Sequence, residues 1–176
     1  YPYAFKKAVF LYHEFDRIFS DLFSRRSASY QKIVSACLTH HTTLAQIIAA
    51  LGIKKGGTVS DYVEDLVDTG YLSRDFTWHL TSGHYSKLCT YRLKDNFLRF
   101  YLKYIAPLAE KIEQNEINKL PAWDVMMGLQ FENLVLNNRK RIKELLHVIP
   151  DDIVLDNPYF QKHTTQRRGC QIDYLI

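Results

Sequence analysis

The stretch TLAQIIAALGIKKGGTVSDYVEDLVDTGYLSRD, residues 43–75, decides how the first half of the chain folds. Thr43 is followed three residues later by Gln46, the spacing of a capping box, which predicts the start of a short helix. Gly52 stands where that helix would need a left-handed residue to end it. After the KKGG turn, apolar residues recur at helical spacing and predict another helix, closed by Gly70; they are Val59, Tyr62, Val63, Leu66 and Val67. Two helices joined by a tight turn that contains glycine form a helix-turn-helix pattern.

The residues on either side extend this pattern. Residues 30–38 have an apolar side typical of a preceding helix, and from Tyr71 the period changes from helical to alternating. YLSRDFTWHL (71–80) and KLCTYRLKD (87–95) flank the turn-rich TSGHYS, which predicts a β-hairpin. Together these elements predict a winged helix-turn-helix over residues 26–95. Ahead of it, AFKKAVFLYHEFDRIFSDLF (4–23) predicts a linking helix within residues 1–25.

The remaining chain is expected to form a helical connector and a mixed second unit. Asp95 can cap a helix that stops near Pro107, and the more polar stretch after it is also expected to be helical, which gives a connector over residues 96–120. Pro121 marks the predicted start of a unit over residues 121–176, with one long amphipathic helix over 129–146 and strands in the tail. The predicted fold class is therefore mainly α with small β, an α+β chain.

The composition is that of a globular protein. Of the 176 residues 47% are hydrophobic, and the formal net charge of +4 neither requires nor excludes a nucleic-acid partner. The three cysteines, Cys37, Cys89 and Cys170, lack metal-ligand spacing and predict reduced, mostly buried thiols. The sequence shows no signal peptide and no apolar run of membrane-spanning length, so we expect a cytoplasmic protein without a membrane partner. Because the chain begins at Tyr1 and ends in an apparent strand, we also expect a fragment of a longer protein.

The third helix of the predicted winged helix is acidic on its outward side. Winged helices usually place this helix in the DNA major groove, where carboxylates would be repelled by the phosphates. The acidic residues recur at helical spacing: Asp61, Glu64, Asp65 and Asp68. No Arg, Lys, Asn or Gln lies between Thr58 and Gly70 to read a base. Cations outside this helix could still contact DNA: Lys54, Lys55, Arg74 and Lys87. We therefore favour a packing or regulatory winged helix and keep DNA binding as the alternative.

Known catalytic motifs are absent from the sequence. It has no G-x-S-x-G nucleophile motif, and KKGGTV has the wrong spacing for the G-x-x-x-x-G-K-[ST] loop that binds a triphosphate. A zinc site needs three or four convergent ligands. The histidines considered for such a site lack a third ligand nearby and are expected to be solvated surface side chains: His40, His41, His79 and His84.

Two carboxylates of the second unit lie next to apolar residues. Glu132 lies at the edge of the apolar side of the long helix, and Asp173 lies in the last strand. Because Mg²⁺ binds carboxylate oxygens, a helix acid and a strand acid that converge would form part of a metal site. The alternatives are a solvated helix acid and an edge-strand acid that points to water. A basic set could line a phosphate-binding face or simply be a solvated surface: Arg139, Lys140, Arg141, Lys143, Arg167 and Arg168.

Several segments taken together resemble a known family. Besides residues 43–75 they are YRLKDNFLRFYLKYIAP (91–107), GLQFENLVLNN (128–138) and RRGCQIDYLI (167–176). In this order they are similar to the C-terminal half of a bacterial and archaeal family of predicted P-loop ATPases of the AAA+/STAND type. In that family a winged helix follows the ATPase domain, and a C-terminal region related to the PD-(D/E)XK nuclease fold follows the winged helix.

The resemblance implies that Glu132 and Asp173 are the helix glutamate and the strand aspartate of an incomplete Mg²⁺ site. The E-x-K of that fold has no counterpart before Ile176, so the resemblance implies a truncated nuclease-like region over residues 121–176. The Walker motifs would lie upstream of Tyr1. No catalytic residue is therefore expected in this chain, which should be inactive, and Mg²⁺ and ATP are cofactors implied only for the parent protein.

The expected function is that of a regulatory or interaction module at the C-terminal end of an ATPase. Its implied partner is the upstream ATPase domain of the same chain, with DNA and a second copy of the chain as further candidates. The alternative function is a sequence-nonspecific DNA-binding module of a Mg²⁺-dependent nuclease or of a transcription regulator.

Overall fold

The structure is a computed structural model that describes residues 17, 27–53, 57–114, 116–117, 119–153, 155–161, 163–165 and 168–176. Apart from residue 17, the predicted linking helix lies outside the described residues, as do Lys54, Lys55 and Arg167. Within the described residues the chain has an α+β fold with two small antiparallel sheets, which confirms the α+β part of the predicted fold class. No helix among these residues is both long and apolar enough to cross a membrane.

Three helices open the described fold: α1 (Ser27–Ala36), α2 (Leu44–Leu51) and α3 (Gly57–Asp68). The capping-box prediction is confirmed, because the Thr43 side chain accepts from the Gln46 N–H while the Gln46 side chain accepts from the Thr43 N–H at 2.8 Å. Gly52 ends α2 at a φ of 67°, a left-handed conformation that glycine adopts without a steric penalty.

A β-hairpin follows, as predicted, with strands β1 (Leu72–Trp78) and β2 (Tyr85–Leu93). The strands pair antiparallel with Leu72 opposite Leu93, and the register shifts between Phe76 and Trp78. Thr42, just before α2, forms an additional antiparallel bridge to Tyr91 of β2 through two backbone hydrogen bonds of 2.9 and 2.7 Å. The hairpin is therefore held against the helices by backbone pairing as well as by side chains.

One hydrophobic core joins these helices to the hairpin. Its most deeply buried side chains come from α1, α2, α3, both strands and the helix after them: Ile33, Val34, Ile47, Val63, Leu66, Leu72, Leu93 and Leu98. Burying each such side chain stabilises the fold by about 1.5–3 kcal/mol. The apolar side of α3 that the sequence predicts is the side that packs here, and it leaves the acidic side outward.

The connector is helical but changes type along its length. Asp95 caps α4 (Asn96–Phe100) as predicted, with its Oδ1 accepting from the Leu98 N–H at 2.6 Å. A π-helical turn (Tyr101–Ile105) and a 3₁₀ turn (Ala106–Leu108) lead into α5 (Ala109–Glu113). The prediction of a helix across the polar stretch up to residue 120 is wrong beyond α5 in the part described. That polar stretch contains few apolar residues that could hold a helix against the core. Among its described residues Ile112 is buried.

The second half contains α6 (Trp123–Asn137), α7 (Arg139–Leu145), a 3₁₀ turn (Pro150–Asp152), and strands β3 (Asn157–Gln161) and β4 (Cys170–Leu175). The prediction of one continuous helix over 129–146 is wrong, because the helix breaks at Asn138. There φ is −119° and ψ is 24°, and the side-chain amide donates to the Leu134 carbonyl at 2.7 Å. A side-chain bond of this kind competes with the helical pattern.

The described residues on the two sides of the predicted boundary at Pro121 are in contact. Helix α6 packs on α4, and β3 lies beside β1. The Phe160 N–H of β3 donates to the Thr77 hydroxyl of β1 at 3.0 Å. The Tyr104 hydroxyl also donates to the Pro121 carbonyl at 2.8 Å, which ties the connector to the start of the second half.

The cysteines are free, but the expectation that they are mostly buried holds for Cys37 and not for Cys170. Cys170 lies at the start of β4, which is exposed there, and Cys89 is half-buried. Burial raises the pKa of the Cys37 thiol from its ordinary 9.0 to about 12, so the thiolate that reacts with alkylating reagents is almost absent.

We expect N-ethylmaleimide to modify Cys170 in the native protein while Cys37 stays unmodified until the chain is unfolded in urea. Peptide mass spectrometry at successive times measures both sites in the same sample. Labelling of Cys37 at the rate of Cys170 under native conditions would contradict the packing of α1 described here.

Candidate functional site

The outward side of α3 is a continuous acidic surface, which we call the acidic face and define as Asp61, Glu64, Asp65 and Asp68. It exists because the apolar residues of α3 repeat on the opposite side of the helix and are buried in the core. Asp61, Asp65 and Asp68 are exposed, and Glu64 is half-exposed. The structure thus brings these predicted acids together on one surface.

Arg74 does not project from the hairpin toward a ligand. Its guanidinium pairs with Glu64 of the acidic face and stacks over the Tyr91 ring, 5.5 Å from the ring centre. Partial burial alone would lower the pKa of Arg74, but the hydrogen bond and charge of Glu64, together with Tyr91, raise the pKa above its ordinary value. One of the cations considered for DNA contact therefore serves to fix the hairpin against α3.

Asp65 also has an internal partner. The Tyr30 hydroxyl of α1 donates to Asp65 Oδ2 at 2.5 Å. Glu64 and Asp65 are therefore held by neighbouring elements. Asp61 and Asp68 lie at the two ends of the acidic face and are exposed to solvent.

The basic residues predicted for phosphate binding are divided between internal ion pairs and solvent. Arg139 donates to the Asp156 carbonyl at 2.5 Å and to Asn157 Oδ1 at 2.6 Å, and Lys143 pairs with the Asp156 carboxylate. Arg141 pairs with Glu144 at 3.2 Å. Lys87, Lys140 and Arg168 are exposed. The described part of the basic set therefore does not form a single surface of unpaired cations.

Glu132, the predicted helix ligand for Mg²⁺, is buried and paired. Its side chain is 10% exposed, and its Oε1 lies 2.7 Å from Nε2 of His41, whose side chain is 9% exposed. Neither atom has a well-aligned hydrogen bond to any described residue, the other member of this pair included. The expectation that His41 is a solvated surface side chain is wrong, because the segment between α1 and α2 carries it under α6.

A buried polar cluster surrounds this pair, formed by Arg92 of β2, Arg99 of α4 and Asn133 of α6. Arg99 donates to the Leu129 carbonyl at 2.8 Å and to the Leu93 carbonyl at 2.6 Å. The pKa of Arg99 falls to about 10. Burial is the main cause, and the positive charge of Arg92 lowers the pKa further, whereas the Glu132 carboxylate raises it. Glu132 thus provides negative charge near the desolvated guanidinium group of Arg99.

Asn133 is the centre of this cluster and is fully buried. Its side-chain nitrogen lies 2.8 Å from the Leu93 carbonyl and 2.8 Å from Asn96 Oδ1, and its side-chain oxygen accepts from Arg92. Arg92 in turn pairs with Asp75 of β1 at 2.8 Å. Through these bonds α6 is fixed to both strands of the hairpin and to the start of α4.

Asp173, the predicted strand ligand for Mg²⁺, is exposed on β4 and accepts a hydrogen bond from the Gln171 side chain at 3.2 Å. Among the described residues no group of three or more His, Cys, Asp or Glu side chains is arranged to hold a metal ion. A cation bound to Glu132 would have to displace His41 from the carboxylate. The Mg²⁺ site at Glu132 and Asp173 stays a prediction.

Sequence reasoning missed Arg92, Arg99 and Asn133, although all three lie in segments that carry the family resemblance. The sequence contains one indication of a buried cation, since Arg99 follows Leu98 in a strongly apolar helical run. Buried polar groups need partners, and one partner of Arg99, the Leu129 carbonyl, lies 30 positions away, a relation that spacing along the chain does not reveal.

Comparison with known proteins shows a similarity to an uncharacterized protein of Methanocaldococcus jannaschii, at 30% identity over 128 residues. The match covers 71% of this chain and 28% of the relative, so the chain spans less than a third of that protein's length. No family profile and no solved structure matches the chain. The ATPase and nuclease-like assignments therefore stay predictions.

We expect Asn133→Ala to lower the free energy of unfolding by about 1–3 kcal/mol, because it leaves an Arg92 donor buried without that acceptor and removes the bonds to the Leu93 carbonyl and to Asn96 Oδ1. Asn137→Ala, an exposed position on the same helix, is the matched control and should change stability by less than about 0.5 kcal/mol. Urea unfolding followed by circular dichroism measures both. Equal effects of the two substitutions would show that the polar cluster does not hold α6 in place.

Proposed function

We propose that this chain is a winged-helix interaction module whose acidic face binds a basic protein surface rather than DNA. The winged-helix assignment is supported by the order α1, α2, α3, β1 and β2, and by the backbone bridge from Thr42 to the hairpin. The observation that carries the function is the outward side of α3, where the position that normally reads bases presents carboxylates.

Electrostatics favour this function over groove binding. A duplex repels carboxylates and gains affinity from cations that release its counterions. Here Arg74, the cation next to α3, is bound to Glu64, so the local charge stays negative. Asp61 and Asp68 remain exposed to meet a partner of opposite charge, and such complementarity raises association rates and excludes partners of like charge.

The partner we propose is the ATPase domain that the family resemblance implies in the parent protein. In that arrangement the acidic face docks on a basic surface of the ATPase domain and relays its conformational state. Because the sequence has no G-x-x-x-x-G-K-[ST] loop, the module would influence the ATPase through this contact. The similarity of the chain to less than a third of a longer archaeal protein is compatible with a module of this kind.

DNA binding is tested directly by fluorescence anisotropy with a random-sequence duplex at increasing salt. Because the acidic face opposes the phosphates, we expect a dissociation constant no tighter than about 10⁻⁴ M at physiological salt, the weak end of non-specific binding. Sub-micromolar affinity with a steep salt dependence would overturn the proposal and support the alternative DNA-binding module. In that case, charge reversal at Lys140 and Arg141 should weaken binding about equally for all DNA sequences.

Protein binding is tested with the ATPase domain of the parent protein, expressed separately and titrated with this chain in an isothermal calorimeter. We expect the double substitution Asp61→Lys and Asp68→Lys to weaken the complex at least about tenfold, since two favourable charges become repulsive. The matched control is Asp151→Lys with Asp152→Lys, which reverses two exposed acids on the 3₁₀ turn after α7. Equal weakening by both pairs, or by neither, would contradict docking through the acidic face.

A further inference from the structure

Helix α6 is apolar on two opposite sides, although only one side is covered by the other described residues. Met126, Asn133 and Leu136 are buried against the first half of the fold. On the other side Phe131 is 66% exposed and Leu134 is 55% exposed, with Met127 exposed beside them. The prediction of an amphipathic helix is therefore wrong here, since a surface helix normally carries polar residues on its outward side.

The exposed apolar residues form a continuous stripe. At about 100° per residue, positions three, four and seven apart share one side of a helix. Around Phe131 this places five residues together, which we call the α6 seam: Met127, Gly128, Phe131, Leu134 and Val135. This spacing is the one by which a second helix packs against the first.

Gly128 makes no close packing contact within the described part of the chain. It lies in the interior of α6, where glycine is less favourable than alanine, and an added Cβ would meet no atom within 4 Å. Glycine in such a position permits another backbone to approach closely. The seam thus contains a gap next to two large side chains, which is the shape that a packed partner helix would fill.

We propose that the α6 seam pairs antiparallel with the α6 seam of a second copy of this chain, with the twofold axis at Phe131. A twofold contact places residues equally far from the axis opposite each other. Leu134 of one copy then faces Gly128 of the other, and Met127 faces Val135. On both sides of the axis a larger side chain faces a smaller one, and Phe131 meets its own copy at the axis, so the seam is complementary to itself.

The charges at the two ends of α6 also fit this arrangement. Asp124 is exposed in the first turn, and Lys140 is exposed just beyond the C-terminal end of the helix. Around the same axis Asp124 lies opposite residue 138 of the second copy, where α6 ends and two residues before Lys140. The antiparallel pairing therefore places each Asp124 near the basic start of α7 of the other copy, whereas a parallel pairing would place like charges side by side.

Sedimentation equilibrium over a range of concentrations tests the pairing. We expect the 176-residue chain to dimerise and Phe131→Asp to be monomeric, since it places two carboxylates on the axis. Leu80→Asp is the matched control, because Leu80 is similarly exposed, at 60%, on the hairpin tip away from α6, and this variant should still dimerise. Circular dichroism verifies that both variants are folded.

The substitution Gly128→Leu distinguishes loss of the dimer from loss of the fold. In the single chain the new side chain has free space and improves helix propensity, so the melting temperature at low concentration should stay equal or rise. In the dimer it would collide with Leu134 of the second copy, and the dimer should be lost. A dimer that tolerates this variant would overturn the proposed register.

A disulfide tests the position of the axis. In a Cys170→Ser background, Phe131→Cys should oxidise to a covalent dimer, whereas Val125→Cys, on another side of α6, should not. A wild-type chain that stays monomeric up to its solubility limit would overturn the proposal, and the seam would then belong to a different protein partner. A dimer that survives Phe131→Asp would overturn it equally.

Discussion

The arrangement of this fold depends on two guanidinium groups that are removed from water at the same place. Arg92 and Arg99 are 4% and 2% exposed, and the effective cost of such burial is several kcal/mol per ion unless nearly every donor finds an acceptor. The acceptors come from separate parts of the chain: Asp75 on β1, the Leu93 carbonyl at the end of β2, the Leu129 carbonyl on α6 and Asn133. Most of their donors are therefore satisfied only when hairpin, connector and α6 are assembled together, although Arg99 Nε has no hydrogen-bond partner among the described residues.

This requirement explains the position of the residue that the sequence suggested as a metal ligand. Asn133 must reach Arg92 and the Leu93 carbonyl, and Glu132 is its neighbour in the same turn of α6. The carboxylate is thereby carried to His41 and close enough to Arg99 to favour its charge. A buried acid of this kind has a structural role that is independent of any cation, since it offsets part of the positive charge of the cluster.

The local features of the fold could be predicted from the sequence because their causes are local. Thr43 and Gln46 cap α2 through contacts within one helical turn, Asp95 caps α4 in the same way, and the apolar side of α3 follows from its periodicity. The break at Asn138 escaped prediction because the surrounding residues have good helical spacing and a single side-chain bond decides the outcome.

The candidate sites were less predictable, because their geometry depends on pairs that are distant in sequence. The acidic face was visible as a pattern, but the capture of Arg74 by Glu64 and of Asp65 by Tyr30 required the packed helices and hairpin. His41 was expected at the surface, since nothing adjacent to it in the sequence indicates that α6 will cover it. The basic set was visible as a run of charges, whereas its division among Asp156, Asn157 and Glu144 was not.

The polar cluster also determines which side of α6 is left uncovered. Apolar burial alone does not decide which side of α6 packs inward. Met126 and Leu136 on one side are matched by Met127, Phe131 and Leu134 on the other. Rotating α6 by half a turn would bury the seam but would carry Asn133 away from Arg92, which would keep Asp75 and lose its acceptor on α6. Because the two sides of α6 differ little in apolar character, the loss of that charged hydrogen bond, which costs about 1–3 kcal/mol or more, decides between them. Once the arginines are satisfied, the seam must point outward, and its apolar surface is then available for a partner.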